Sequence, residues 1–146
     1  LIGDKNRMVD WWRENLLETV VRGSELQLIR DVVPETHLLS EYDNEIAWSS
    51  RKAWVFKPAA RHGGKGVLLG KAMSRKRFDA LELSTTVMQA LVPPSTIEIK
   101  NQSYKFDIRL YLHGENLIAM AGRAWNGQIT NFREEGSGWT PIEVKN

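Results

Sequence analysis

Three groups of residues have types and spacings suited to chemistry. The first is the run His62-Gly63-Gly64-Lys65-Gly66, set between two short apolar runs, with Lys57 at the end of the first run. Glycines let a backbone approach an anion and turn its N–H groups inward, and lysines add point charges. The run is not a P-loop, which needs GxxxxGK[ST] opening a helix, and a Rossmann fingerprint is also absent. Taken alone it reads equally well as a hairpin tip with two solvated lysines. The second group is Lys105, Asp107 and Arg109, spaced i, i+2, i+4, which puts all three side chains on one side of a sheet. Arg123 on the returning strand, with Thr130 and Asn131 after it, can complete that face. Such a cluster suits a triphosphate and its ribose. The competing reading is a solvated face whose ion pairs contribute little. The third is Gln89 in Val87-Met88-Gln89-Ala90-Leu91, a polar residue inside an apolar strand that Pro93 and Pro94 close. That strand either offers free backbone groups to a planar base or is an edge strand with one outward polar residue.

The elements that position these groups are legible in outline. Asp4 can cap a helix running to about Val20, with Met8, Trp11, Trp12, Leu16 and Val20 at helical spacing and Gly23 as its stop. Leu26 to Val33 is a short apolar element closed by Pro34, and Leu38 and Leu39 begin an extended piece. Ala53 to Lys57 and Val67 to Gly70 read as strands around the glycine run. Ser74 can cap a short helix over Arg75 to Glu82. Tyr104 to His113 alternates strictly, with Phe106, Ile108, Leu110 and Leu112 on one face. Asn116 to Ala124 returns antiparallel, Asn126-Gly127 is a hairpin signal, and Gln128 to Arg133 is a further short strand. The predicted class is α+β with mainly antiparallel sheets and flanking helices. Three regions are expected: 1–50 with the N-terminal helix and strands, 51–92 with the glycine-rich loop and Gln89, and 93–146 with the antiparallel sheet.

Composition narrows the function classes. The chain has 146 residues, 42% hydrophobic and 26% charged, which is ordinary globular composition. It has no cysteine, which excludes disulfides, thiolate metal sites and cysteine nucleophiles. His37, His62 and His113 match no zinc spacing. The net charge of +2 does not by itself make a polyanion-binding surface. No run approaches the ~20 apolar residues of a membrane helix, and no secretory leader is visible. The chain opens at Leu1 rather than Met, which suggests an excised domain. The expected location is cytoplasmic.

Taken in order, the motifs resemble the ATP-grasp superfamily. Trp54 to Gly70 (WVFKPAARHGGKGVLLG) resembles its lysine-proline strand and phosphate-covering loop. Leu1 to Met8 resembles the segment that supplies an earlier phosphate-contacting lysine, and Val87 to Pro93 resembles the strand that holds adenine. Lys105 to Leu112 (KFDIRLYL) is similar to a strand of tubulin tyrosine ligases and ribosomal-protein glutamate ligases. Gly122 to Phe132 resembles their later arginine and Thr-Asn pair. The nearest overall likeness is to bacterial ATP-grasp proteins, circularly permuted ones among them. It covers nearly the whole chain, Leu1 to about Pro141.

The resemblance implies roles. Lys5 and Lys57 contact the α- and β-phosphates. Arg61, Gly63, Gly64, Lys65 and Gly66 belong to the loop that closes over the phosphates. Gln89 points at the adenine edge, and Ala90 and Leu91 hold the ring by main chain. Lys105 and Asp107 sit near the nucleotide, and Thr130 and Asn131 approach the γ-phosphate. Arg109 and Arg123 are the catalytic pair that stabilises the acyl-phosphate and tetrahedral intermediate. The implied function is the ATP-binding part of a carboxylate–amine or carboxylate–thiol ligase that uses ATP and Mg²⁺.

The metal site is where the pattern departs. The superfamily's Glu-x-Asn pair places both side chains on one strand face, but Glu143 and Asn146 are i, i+3 and point to opposite faces. The metal ligands are therefore unknown, and the chain is expected to be poorly active alone. The alternative is a non-catalytic nucleotide-binding module of the same fold. An RNA-binding reading, from the run Arg75-Lys76-Arg77 and the six tryptophans, is the weakest. The expected partners are small-molecule or peptide carboxylate and amine substrates, with neither membrane nor nucleic acid. A dimer is a further expectation, since a cut-out chain can cover apolar surface by pairing.

Overall fold

A computed structural model describes residues 4–128 and 135–143. The chain is α+β and divides into two units, Leu1–Val92 and Pro93–Asn146, parted at the Pro93-Pro94 pair. Each unit is built on one antiparallel four-stranded sheet. Among the described residues, no helix is long and apolar enough to cross a membrane.

The first unit begins with α1 (Asn6–Asp10) and α2 (Gly23–Val32). The single helix expected up to Val20 is overturned. After α1 the chain turns, and Asn15 takes φ 61°, a left-handed conformation that asparagine tolerates and a helix cannot contain. The apolar spacing from Met8 to Val20 therefore runs across a break. Gly23 does not stop a helix but starts one. The Glu25 carboxylate accepts the Arg22 N–H at 3.2 Å, and an acid in the first turn favours a helix start.

The sheet of this unit comprises β1 (Thr36–Leu38), β2 (Trp54–Pro58), β3 (Leu68–Leu69) and β4 (Thr86–Ala90), in the order β1-β4-β2-β3. Alternation divides its faces. Trp54, Phe56 and Met88 pack on one side with Leu39, Ala47, Met73 and Phe78, all buried. That side is covered by α3 (Asn44–Ser49), which Asp43 caps through the Ile46 N–H at 2.8 Å, and by α4 (Arg75–Asp79), which Ser74 caps through the Arg77 N–H. Helix α4 ends three residues short of the expected Glu82, and a 3₁₀ turn over Leu83–Thr85 leads into β4. On the other face Val9 of α1 packs with Ala59, Val87 and Leu38.

The second unit is a meander: β5 (Ser95–Ile99), β6 (Gln102–His113), β7 (Asn116–Trp125) and β8 (Gly138–Pro141). Prolines 93 and 94 have no N–H to give a ladder, so β5 begins at Ser95, opposite Phe106. The expected strand from Gln128 to Arg133 lies almost wholly outside the described residues.

Candidate functional site

The α1-covered face of the first sheet carries a chain of polar side chains. Lys57 stands opposite Val87, and Gln89 stands opposite Thr36 on one side and Val55 on the other. Lys57 Nζ donates to Gln89 Oε1, and Gln89 Nε2 donates to Thr36 Oγ1 at 2.9 Å and to Met8 Sδ at 3.2 Å. Thr36 is fully buried and donates its hydroxyl to the Pro34 carbonyl at 2.8 Å. The chain of bonds satisfies these buried polar groups, as burial requires, and fixes where the Lys57 ammonium sits.

Among the described residues, neither Lys57 nor Lys5 takes part in an ion pair. Burial, with the neighbouring Lys5 charge adding to it, holds the Lys57 amine below the ordinary lysine value. Two neighbouring lysine charges with no ion-pair partner among the described residues can attract an anion.

Lys5 behaves differently from its expected role. Its Nζ donates to the carbonyls of Pro58 at 3.0 Å, Ala59 at 3.3 Å and Arg61. An ammonium has three N–H bonds, so all of them are occupied. Its backbone N–H also bonds the Ala59 carbonyl at 3.1 Å. Lys5 thus clamps the start of the glycine-rich loop and offers an anion its charge rather than a hydrogen bond.

The loop itself is two successive turns. Lys65 N–H bonds the His62 carbonyl, and Gly63 and Gly64 between them have φ 64° and 71°, the pattern of a type I′ turn. Val67 N–H then bonds the Gly64 carbonyl at 3.2 Å, with Gly66 at φ 77°. Glycines leave a backbone that an anion can approach closely, although the Lys65 and Val67 N–H groups are already bonded within the turns. Arg61, His62 and Lys65 are all exposed. Gly66 is more constrained than Gly63: a Cβ at Gly66 would lie 2.8 Å from Pro58 Cγ. At Gly63 a Cβ would meet nothing within 4 Å. Gly66→Ala is therefore expected to destabilise the first unit by about 1–3 kcal/mol. It should lower the unfolding temperature more than Gly63→Ala, which carries only the backbone cost; thermal unfolding of both variants checks this.

The expected adenine strand is placed differently. Strand β4 is internal, paired to β1 and β2, and not an edge. The Ala90 N–H bonds the Glu35 carbonyl at 2.7 Å and the Leu91 N–H bonds the Ala53 carbonyl at 2.8 Å, so a base there would not meet those donors. The Gln89 amide is engaged with Lys57 and Thr36 rather than presented as a free edge.

In the second unit the register confirms that Lys105, Asp107 and Arg109 share one face. Asp107 lies directly opposite Arg123, which lies opposite Trp139. The Arg123 guanidinium grips both Asp107 oxygens in a fork, through Nε and Nη2. Lys105 Nζ donates to the Gly127 carbonyl. Arg109 has no carboxylate partner among the described residues, and its Cζ stands 4.9 Å from the Trp139 ring centroid. Trp125, opposite Lys105, is buried with no acceptor for its Nε1–H among the described residues. Thr130 and Asn131 lie outside the described residues.

Sequence reading missed Thr36, whose signal was a polar residue at strand parity with Gln89. It also missed Trp139, for which spacing gives no signal. Arg75, from the basic run, is engaged by Glu45 and Asp79 within its own unit. No family model, curated protein or solved structure matches this chain.

Proposed function

We propose that this chain is the ATP-binding part of an ATP-grasp ligase, which joins a carboxylate to an amine or thiol through an acyl-phosphate. One observation supports the reading above all others. The half-buried Lys57, under the influence of the Lys5 charge and without an acid partner among the described residues, stands on the strand that leads into two glycine turns. That is a phosphate-seeking arrangement.

In this reading the substrate carboxylate attacks the γ-phosphorus of ATP and ADP leaves. The amine or thiol then attacks the acyl carbon and phosphate leaves. Lys57 and the loop N–H groups not bonded within the two turns hold phosphate oxygens, and the Lys5 charge reinforces them. Of the two arginines, Asp107 already engages Arg123, which leaves Arg109 the one without a carboxylate among the described residues. The described residues do not offer Mg²⁺ a donor set: no three acidic or histidine side chains cluster among them, and Asp107 is taken by Arg123. The role of the metal is therefore not assigned to any residue. The proposed setting is the cytoplasm, with small-molecule or peptide substrates.

Equilibrium titration with ATP, tripolyphosphate and adenosine tests the site. ATP and tripolyphosphate are expected to bind and adenosine to bind at least about tenfold more weakly, since charge dominates. Equal binding of adenosine and ATP would contradict it. Phosphate release from ATP across a panel of carboxylic acids, with hydroxylamine as the amine, separates a ligase from a module that only binds.

A further inference from the structure

Among the described residues, nothing covers the distal half of the β6–β7 hairpin ribbon. Ile108, Leu110 and Leu112 on β6 are 54%, 56% and 62% exposed, and Leu117 and Ile118 on β7 are 50% and 67%. Apolar exposure this concentrated marks an interaction surface. One backbone edge of the ribbon is also bare. Strand β5 pairs with β6 only from Gln102 to Phe106, and the prolines before Ser95 prevent its extension. Among the described residues, the β6 edge from Asp107 to His113 has no strand partner. The hairpin's register shift falls on β7, where Ile118 is skipped between Leu117 and Ala119, so β6 itself stays regular.

The sequence of that edge is complementary to itself. It reads Asp107-Ile108-Arg109-Leu110-Tyr111-Leu112-His113. Antiparallel pairing about a twofold axis at Leu110 sets Ile108 opposite Leu112, Arg109 opposite Tyr111 and Asp107 opposite His113. Apolar residues then meet apolar ones, a guanidinium meets an aromatic ring, and the acid meets an imidazole. A pairing centred on a residue keeps parity, so the apolar faces of both copies join into one surface and the polar faces into another. Centring one residue later sets Arg109 opposite His113 and Ile108 opposite Gly114, which loses both matches.

We propose that the chain forms a twofold dimer by antiparallel pairing of the β6 edge, Asp107 to His113, with the same edge of a second copy. The pairing adds ladder hydrogen bonds, closes the bare edge and extends each four-stranded sheet into one sheet of eight. It also sets the partner copy's Tyr111 beside Arg109, so the second copy contributes a residue to the polar face.

The absence of cysteine allows a direct test. Directly opposed antiparallel residues have Cα atoms about 4.5–5.5 Å apart, within disulfide range. Leu110→Cys is therefore expected to give a covalent dimer under mild oxidation, at least about tenfold faster than Leu28→Cys, an exposed position on α2. Sedimentation equilibrium of the unmodified chain should show a dimer. Leu110→Lys sets two ammonium groups opposite each other at the axis and should weaken that dimer at least about tenfold. Leu110 is largely exposed, so the fold tolerates the change, and an unaltered circular dichroism spectrum verifies it. A monomer at about 100 μM, which would mean that something else covers the ribbon, overturns the proposal. So does a dimer indifferent to Leu110→Lys, or cross-linking at Leu110 no faster than at Leu28.

Discussion

Lys57→Met is expected to stabilise the empty chain and to abolish its response to nucleotide. The wild-type ammonium is half-buried, feels the Lys5 charge and has no carboxylate partner among the described residues, so the folded chain holds its proton less tightly than the unfolded chain does. Methionine keeps the length and the packing and removes the charge. The sign of the pH effect follows. Below the lowered folded value of Lys57 both states are protonated and the whole penalty is present. As pH rises from that value towards the ordinary 10.5, the unfolded chain carries more protons than the folded one, and stability rises. The advantage of Lys57→Met should thus be greatest at neutral pH and fade as pH climbs through that window. Phosphate binding to the wild type should weaken over the same range. Thermal unfolding of both chains from neutral pH to about pH 10 measures this. A wild type more stable than Lys57→Met at neutral pH would show that the Gln89 bond outweighs the buried charge.

Gly70→Ala has the second large expected effect, and it concerns the scaffold. Gly70 is buried just after β3, where a Cβ would lie 1.8 Å from the Arg51 carbonyl oxygen, 2.7 Å from its carbon and 3.0 Å from the Trp54 carbonyl oxygen. All three atoms are backbone, and Trp54 begins β2, so relief requires moving the strand that carries Lys57. The expected cost is about 3 kcal/mol or more, or roughly 6–12 °C in a chain of this length. Gly23→Ala is the control: nothing lies within 4 Å of its Cβ, and its place in α2 favours alanine. A Gly70→Ala chain that unfolds with the wild type would mean that β3 packs differently from the arrangement described.

Alternation made the second unit's charged face readable: Lys105, Asp107 and Arg109 share a parity that no reasonable register disturbs, and the hairpin signals brought Arg123 across from Asp107. Local composition singles out Lys57, at the end of an apolar run before the glycines, and Gln89, a polar residue inside an apolar strand. It could not say that the two would bond to each other, because that depends on β4 crossing between β1 and β2, a nonlocal pairing. For the same reason β4 reads as an edge from its prolines and is internal in the fold. Lys5 clamps the loop through three carbonyls more than fifty residues away, which no local pattern encodes. The first helix was misjudged for a local reason. A glycine marks either end of a helix, and an apolar stripe continues across a left-handed asparagine without any change in spacing.

The most direct measurement is the unfolding temperature of the 146-residue chain with and without a non-hydrolysable ATP analogue, beside Lys57→Met. Ligand at about 100 times its dissociation constant adds roughly 2.7 kcal/mol, which is about 5–10 °C here. A shift of that order in the wild type and none in Lys57→Met is the predicted result. A shift of equal size in both, or none in the wild type at millimolar nucleotide, would contradict the assignment of Lys57 and its loop as the phosphate site.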